Sequence, residues 1–259
     1  MNVRAKKHLG QHFLKDEQIC EKIANAFSRH KGCHNVLEIG PGMGALSQFL
    51  LNQEDLTVVL LDIDEESVNY LIHKFPEKKE QILFGDFLRL DPDTYFPGEA
   101  FSVVGNFPYN ISSQILFKCL EFRNRIPEIM GMFQKEVAVR VSEKPGSKEY
   151  GITSVLLQAF YDIHYCFTVD EHVFSPPPKV KSGVIRCTRN NRDRLKCDEK
   201  LFFQVVKMAF NQRRKTLRNS LKQLLKAQEL PDKFQQERPE QLSVTDFEEL
   251  TLFIQSIRE

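Results

Sequence analysis

The stretch Val36-Leu37-Glu38-Ile39-Gly40-Pro41-Gly42-Met43-Gly44 constrains this chain more than any other. A short apolar run ends in glycines at alternate positions, and residues 45–51 then read as the start of a helix. Strand, tight glycine turn and helix in succession make the unit of a parallel α/β sheet, because parallel strands need a crossover and a helix supplies it. Glycine lets the backbone turn sharply and lie close against a ligand. The spacing Gly-x-Gly-x-Gly misses the dinucleotide fingerprint Gly-x-Gly-x-x-Gly by one residue, which disfavours a nicotinamide dehydrogenase. Further apolar runs at residues 57–61, 81–84, 101–105 and 129–133 complete the central strands. Residues 163–169 and 183–188 predict a late antiparallel pair, with Ser175-Pro176-Pro177-Pro178 as a rigid loop between them.

In open α/β sheets, ligands bind beyond the C-terminal ends of the strands. Three further strand ends here carry polar chemistry. Asp62 follows the second run, where a carboxylate can accept from the hydroxyls of a ribose. Asp86 follows the third, where it can reach an adenine's amino edge. No Gly-x-x-x-x-Gly-Lys-Ser/Thr loop occurs, so the constellation fits a nucleoside without a pyrophosphate, and S-adenosyl-L-methionine is the expected cofactor. The fourth strand ends in Asn106-Phe107-Pro108-Tyr109. The Asn106 side-chain oxygen can accept from a flat amino group, and Pro108 offers its carbonyl as a second acceptor. Tyr109 offers a ring face on which a base can stack. Asn and Pro are also ordinary turn residues. The three upstream strand ends favour the chemical reading.

The net charge of +1 hides an asymmetry. Residues 201–228 contain no acid, while Arg213, Arg214, Lys215, Arg218, Lys222 and Lys226 are basic. Arg214, Arg218, Lys222 and Lys226 recur every four residues, which predicts one basic helix face, with Leu217, Leu221, Leu224 and Leu225 turned inward. A polyanion would offset their mutual repulsion. Residues 190–196 look like a linker, so two domains are expected: 1–189, a catalytic sheet domain, and 190–259, a helical domain. The 6 cysteines and 7 histidines show no metal-ligand spacing, and none is expected to hold a metal. The basic N-terminus lacks the apolar core of a signal peptide, and no apolar run spans a bilayer, so a cytoplasmic protein without membrane contact is expected.

Over almost its whole length the chain resembles the ribosomal RNA adenine dimethyltransferases of the bacterial KsgA type. The resemblance is carried by Gly10-Gln11-His12-Phe13-Leu14, residues 38–44, Asp62-Ile63-Asp64, Gly85-Asp86 and Asn106-Phe107-Pro108-Tyr109-Asn110-Ile111-Ser112. Phe174-Ser175-Pro176-Pro177-Pro178-Lys179-Val180 and residues 209–218, with Gln212-Arg213-Arg214-Lys215-Thr216, add specificity. His12, Asp62 and Phe107 stand where the family commonly has Asn, Glu and Leu. The resemblance implies a Rossmann-like α/β methyltransferase sheet with a small C-terminal helical domain. It implies His12, Leu14, Gly40, Asp62, Asp86 and Asn106 as cofactor contacts. Asn106, Pro108, Tyr109 and Phe174 become the catalytic set, with Phe174 stacking on the second face of the target base. Arg213, Arg214, Lys215, Arg218 and Lys222 become RNA contacts. The implied partner of a monomeric enzyme is small-subunit rRNA in an immature 30S subunit, methylated at two adjacent adenines of its 3'-terminal hairpin. A large-subunit rRNA adenine methyltransferase and a non-catalytic RNA-binding assembly factor are the competing readings.

Overall fold

The computed structural model describes residues 3–258. Nine strands form in chain order: β1 (Phe13–Leu14), β2 (Asn35–Ile39), β3 (Thr57–Asp62), β4 (Ile82–Phe84), β5 (Ser102–Asn106), β6 (Glu128–Gln134), β7 (Tyr161–Val169), β8 (Phe174–Ser175) and β9 (Ser182–Arg189). Seven of them make one sheet in the order β4-β3-β2-β5-β6-β9-β7. The pairs β4–β3, β3–β2, β2–β5 and β5–β6 are parallel, and β9 runs antiparallel to β6. Helices α2 (Ser47–Leu51), α3 (Glu65–Lys74) and α4 (Ser112–Glu121) lie in crossovers between parallel strands, while α1 (Glu17–Ala26) precedes β2 and α5 (Lys135–Ser142) follows β6. This is the Rossmann-like α/β arrangement expected from the apolar runs. β2 lies between β3 and β5, where the strand order reverses, and a crevice opens at such a switch point.

Two glycines shape the fourth strand end. Gly105 of β5 lies opposite Gly131 of β6. A Cβ on Gly131 would come within 2.2 Å of the Phe107 ring and 2.5 Å of the Gly105 carbonyl. The Phe107 ring therefore fills the space two missing side chains leave, buried and 4.8 Å from the Phe133 ring. Its amide donates to the Met132 carbonyl at 3.1 Å. Thus anchored, Phe107 is buried at the floor of the crevice that Asn106, Pro108 and Tyr109 also border.

The chain divides into two compact units, but not at residue 190 alone. Residues 139–161 cluster with 190–259, and residues 162–189 return to the sheet. The cause is α6 (Ile152–Gln158), whose Val155, Leu156 and Leu157 are buried. It packs on α7 (Glu199–Asn211) and on α10 (Val244–Ser256), the long helices of the second unit. Asp198 caps α7 by accepting from the Leu201 amide at 2.7 Å, and Ser243 with Asp246 makes a capping box on α10. Residues 190–196 are pinned rather than loose. The buried Glu248 accepts from the Lys196 amide at 2.9 Å and pairs with Arg192.

The basic segment is not the continuous helix its spacing predicts. After α7 the chain turns at Gln212, α8 covers only Leu217–Ser220, and Lys226 and Ala227 adopt positive φ of 46° and 71°. A short α9 (Asp232–Gln235) follows. Successive tight turns advance three or four residues each, so they reproduce a helix's leucine spacing without its single axis. Leu217, Leu221, Leu224 and Leu225 are buried as expected. No helix among the described residues is long and apolar enough to cross a membrane.

Candidate active site

Four strand ends stand side by side, with Asp86 after β4, Asp62 at the end of β3, Gly40 after β2 and Asn106 at the end of β5. With neighbouring strands ~4.8 Å apart, three steps span about 14 Å, the reach of a nucleoside carrying a short tail. One cleft is bordered by all four, together with Glu38, Pro108, Tyr109 and the N-terminal residues Leu9 to Leu14. His12, Leu14, Gly40, Asp62, Asp86, Asn106, Pro108 and Tyr109 are thus brought together.

The glycine turn works through close approach. Gly40 (φ 65°) donates its amide to the Leu61 carbonyl at 2.9 Å, tying the β2 end to β3. Gly42 (φ 56°) donates its amide to Asp62 Oδ2 at 3.0 Å, and a Cβ there would meet the Phe13 ring at 2.8 Å. Asp62 also accepts the Asp64 amide on Oδ1, at 2.9 Å. Each oxygen of this buried carboxylate therefore already has one backbone donor. Burial pushes its carboxyl above the usual range despite those donors. Asp86 accepts from the Leu88 amide at 2.9 Å through Oδ1, and Oδ2 lies 3.6 Å from the exposed Arg89.

Asn106 is held by an unambiguous contact. Its Nδ2 donates to the His12 carbonyl at 2.9 Å. A carbonyl only accepts, so the nitrogen must face His12 and the oxygen must face away from it. The Pro108 carbonyl accepts from the Ile111 amide at 3.3 Å, which leaves its second lone pair. Tyr109 is fixed at its far end by a 2.5 Å hydrogen bond between Oη and Ser182 Oγ, and its ring lies 5.4 Å from that of His12. Burial raises its phenol above the ordinary value, so it remains a neutral ring.

Phe174 is the exception. It is 1 % exposed, it does not border the cleft, and its backbone pairs with Leu14 across the β1–β8 ladder. Its ring belongs to the core around Ile23 and Val184 and offers no face to a base in this structure. The basic residues lie in the second unit. Arg213 contacts Glu240 at 3.8 Å and the Ser147 carbonyl at 3.3 Å, and Arg218 lies 3.9 Å from Glu229. Arg214, Lys215 and Lys222 are exposed and enter no ion pair among the described residues.

Glu38 is the residue that sequence reasoning passed over. It is 1 % exposed, it borders the cleft, and its Oε2 has no hydrogen-bond partner. Burial pushes its carboxyl up to about 8, with Ser47 and Lys74 offsetting a part and the Asp62 charge adding to it. The signal was an acid inside a run of four otherwise apolar residues, immediately before the glycines. An orphaned buried carboxylate suits a cation. Three carboxylates border the cleft, and neither Lys nor Arg is among its lining residues. A pyrophosphate would meet only negative charge from Asp62 and Asp86 there, whereas a nucleoside of net positive charge, bearing an ammonium and a sulfonium, is matched.

A profile of the family described as ribosomal RNA adenine dimethylase matches residues 2–255. The chain is 58% identical over 254 residues to a ribosomal RNA small subunit methyltransferase A of Cytophaga hutchinsonii, covering 96% of each sequence. It is 59% identical over 257 residues to the protein so named in Parabacteroides distasonis, covering 98% of this chain and 95% of that one. Among solved structures, a dimethyladenosine transferase from Plasmodium falciparum superposes with a TM-score of 0.79 at 24% identity, over 95% of this chain and 98% of that one. The 23S rRNA methyltransferase ErmE superposes with a TM-score of 0.67 at 25% identity, over 92% and 99%.

Proposed function

The chain belongs to the ribosomal RNA adenine dimethylase family, and from that premise we propose that it dimethylates the exocyclic amines of two adjacent adenines in the 3'-terminal hairpin of small-subunit rRNA. The cofactor is S-adenosyl-L-methionine, which when bound supplies an electrophilic methyl group. The observation that carries the reading is one cleft shared by three carboxylates, Glu38, Asp62 and Asp86, and the Asn106–Tyr109 turn. Asp86 and Asp62 would hold the adenine and ribose, and Glu38 the ammonium of the methionine tail. The target adenine must leave its stack to reach the cleft. Asn106 Oδ1 and the Pro108 carbonyl would accept hydrogen bonds from the two amine hydrogens, and from the one that remains in the second transfer, drawing the nitrogen lone pair out of conjugation. A proton leaves the nitrogen after each methyl arrives. The Tyr109 ring would take one face of the base. Phe174 could take the other only after β8 had shifted.

Arg213, Arg214, Lys215, Arg218 and Lys222 would contact rRNA phosphates, with an incompletely assembled 30S subunit as substrate and one copy of the chain sufficient. Undermethylated small subunits incubated with labelled cofactor should gain label at those two adenines. Gln at Arg214, Arg218 and Lys222 together should leave cofactor affinity unchanged. Each lost phosphate contact should lower the salt slope of RNA binding by about one. Label on large-subunit rRNA alone would overturn the reading.

Glu38 adds a pH signature. Its carboxyl moves from an ordinary 4.5 to about 8 in the folded protein. Between those values the folded state holds a proton that the unfolded chain has lost. The contribution to stability is therefore complete below 4.5 and disappears as pH rises through about 8. A bound ammonium would favour the carboxylate. S-adenosylhomocysteine binding near pH 7 is expected to release up to one proton, seen as calorimetric heats that vary with the buffer's ionisation enthalpy. Glu38→Gln should abolish the variation. Wild-type heats identical in all buffers would remove Glu38 from the cofactor's contacts.

A further inference from the structure

Residues 3–14 form an arm laid across the strand-end loops, and its seating is specific at several points. Gly10 (φ 67°) sits so close to Asn110 that a Cβ would be 2.6 Å from its Oδ1, and Asn110 Nδ2 donates to the His8 carbonyl at 3.3 Å. Phe13 fills the space above Gly42. Beyond the cleft, the arm ends on the carboxylate of Asp64, at the start of α3. That carboxylate is 3 % exposed and has four donors. Two come from its own helix, the Glu66 amide and Ser67 Oγ, at 3.2 and 3.1 Å. The other two come from the arm: Lys6 Nζ on Oδ1, and Gln11 Nε2 on Oδ2 at 3.1 Å. Gln11 Oε1 in turn accepts the Lys6 amide at 2.8 Å, and Lys6 also reaches Glu66 at 3.3 Å. A helix cap needs one donor to its side chain. The two additional ones tie a segment 58 residues away in sequence.

We propose that Lys6, Gln11 and Asp64 form a latch that closes the arm over the cofactor cleft and sets the orientation of the Asn106 amide. Lys6 and Asp64 are positioning residues, since neither borders the cleft. Their effect runs through the chain itself. Gln11 is latched to Asp64, and the carbonyl of the next residue, His12, receives Asn106 Nδ2. With the arm seated, Asn106 Oδ1 is directed away from the arm. With the arm released, the amide loses its one fixed partner and can turn over. Residues Leu9 to Leu14 also wall the cleft, so lifting the arm would widen the path by which the cofactor leaves. The orientation half of the proposal rests on Asn106 being the acceptor for the target amine.

Lys6→Met removes the ionic donor at a partly exposed position, away from the core. Stopped-flow displacement of S-adenosylhomocysteine should show dissociation about fivefold faster, the size expected of a half-exposed ion pair. Single-turnover methylation of small subunits at saturating cofactor should slow several-fold, while affinity for the subunit and the melting temperature stay at wild type. Lys6→Arg should restore both rates. Raising salt should accelerate dissociation from wild type but not from Lys6→Met. Wild-type dissociation and single-turnover rates in Lys6→Met would overturn the latch, and so would a change in only one of them. If Asn106→Ala then still removed activity, the assignment of Asn106 would stand without the latch. Full activity in Asn106→Ala would sink that assignment instead.

Discussion

Asn106→Ala is expected to slow methyl transfer by about 100- to 1000-fold, the loss usual when one preorganised hydrogen-bonding group at a reacting centre is deleted. In the proposed geometry, the Oδ1 contact to the amine would strengthen as the nitrogen lone pair turns toward the methyl group. Its loss should therefore fall on kcat, with KM for the subunit little changed. S-adenosylhomocysteine affinity should drop only modestly, through the missing Nδ2 bond to the His12 carbonyl. Asn106→Asp separates the two functions of this side chain. It keeps an acceptor oxygen for the amine, but it sets a second oxygen against the His12 carbonyl, so the arm should be repelled. Cofactor dissociation from Asn106→Asp should be faster than from Asn106→Ala. A loss confined to KM in the alanine variant would mean that Asn106 binds substrate without taking part in the transfer.

Gly131→Ala should be the most damaging single methyl group in the sheet. The new Cβ would lie 2.2 Å from the Phe107 ring and 2.5 Å from the Gly105 carbonyl. The ring can rotate, but β5 is held on both sides, paired with β2 and, at Gly105, with Gly131 of β6. Overpacking of this kind costs about 3 kcal/mol. In a protein of this size that lowers Tm by roughly 6–12 °C. Activity should fall further than stability does, because a displaced Phe107 carries Pro108 and Tyr109 with it. Phe107→Leu in the same chain should recover part of the Tm, by relieving the ring contact but not the backbone one. A melting temperature within a degree of wild type would show that the β5–β6 spacing is looser than the Gly105–Gly131 register indicates.

The sequence-legible part of the site consists of residues whose chemistry interrupts an apolar run. Asp62, Asp86 and Asn106 each end a strand, and a polar group at that place has nowhere to go but the crevice. Glu38 was hidden by lying one residue inside its strand, where an acid reads as a tolerated solvent-facing position. Only the burial of both sheet faces shows that it has no solvent. Phe174 failed for the opposite reason. Nothing local distinguishes an aromatic that stacks on a base from one that pairs beside Leu14 in a two-residue ladder and joins the core. Residues 214–226 carry a helix's spacing but form only the single short turn of α8, because leucine burial alone sets the period. The Asp64 latch was invisible because its partners, Lys6 and Gln11, are joined to it by long-range contacts alone.

The detour of residues 139–161 into the second unit has a temporal side. A growing chain exposes Val155, Leu156 and Leu157 well before α7 and α10 exist to cover them. At roughly 5–20 residues per second, the wait lasts several seconds. The sheet is complete first, since β9, the last of its strands in the chain, is synthesised before α7 begins. Nascent chains should therefore pass through a stage with a finished sheet and an apolar helix still seeking its cover. At that stage, a chaperone that reads short apolar segments would find α6.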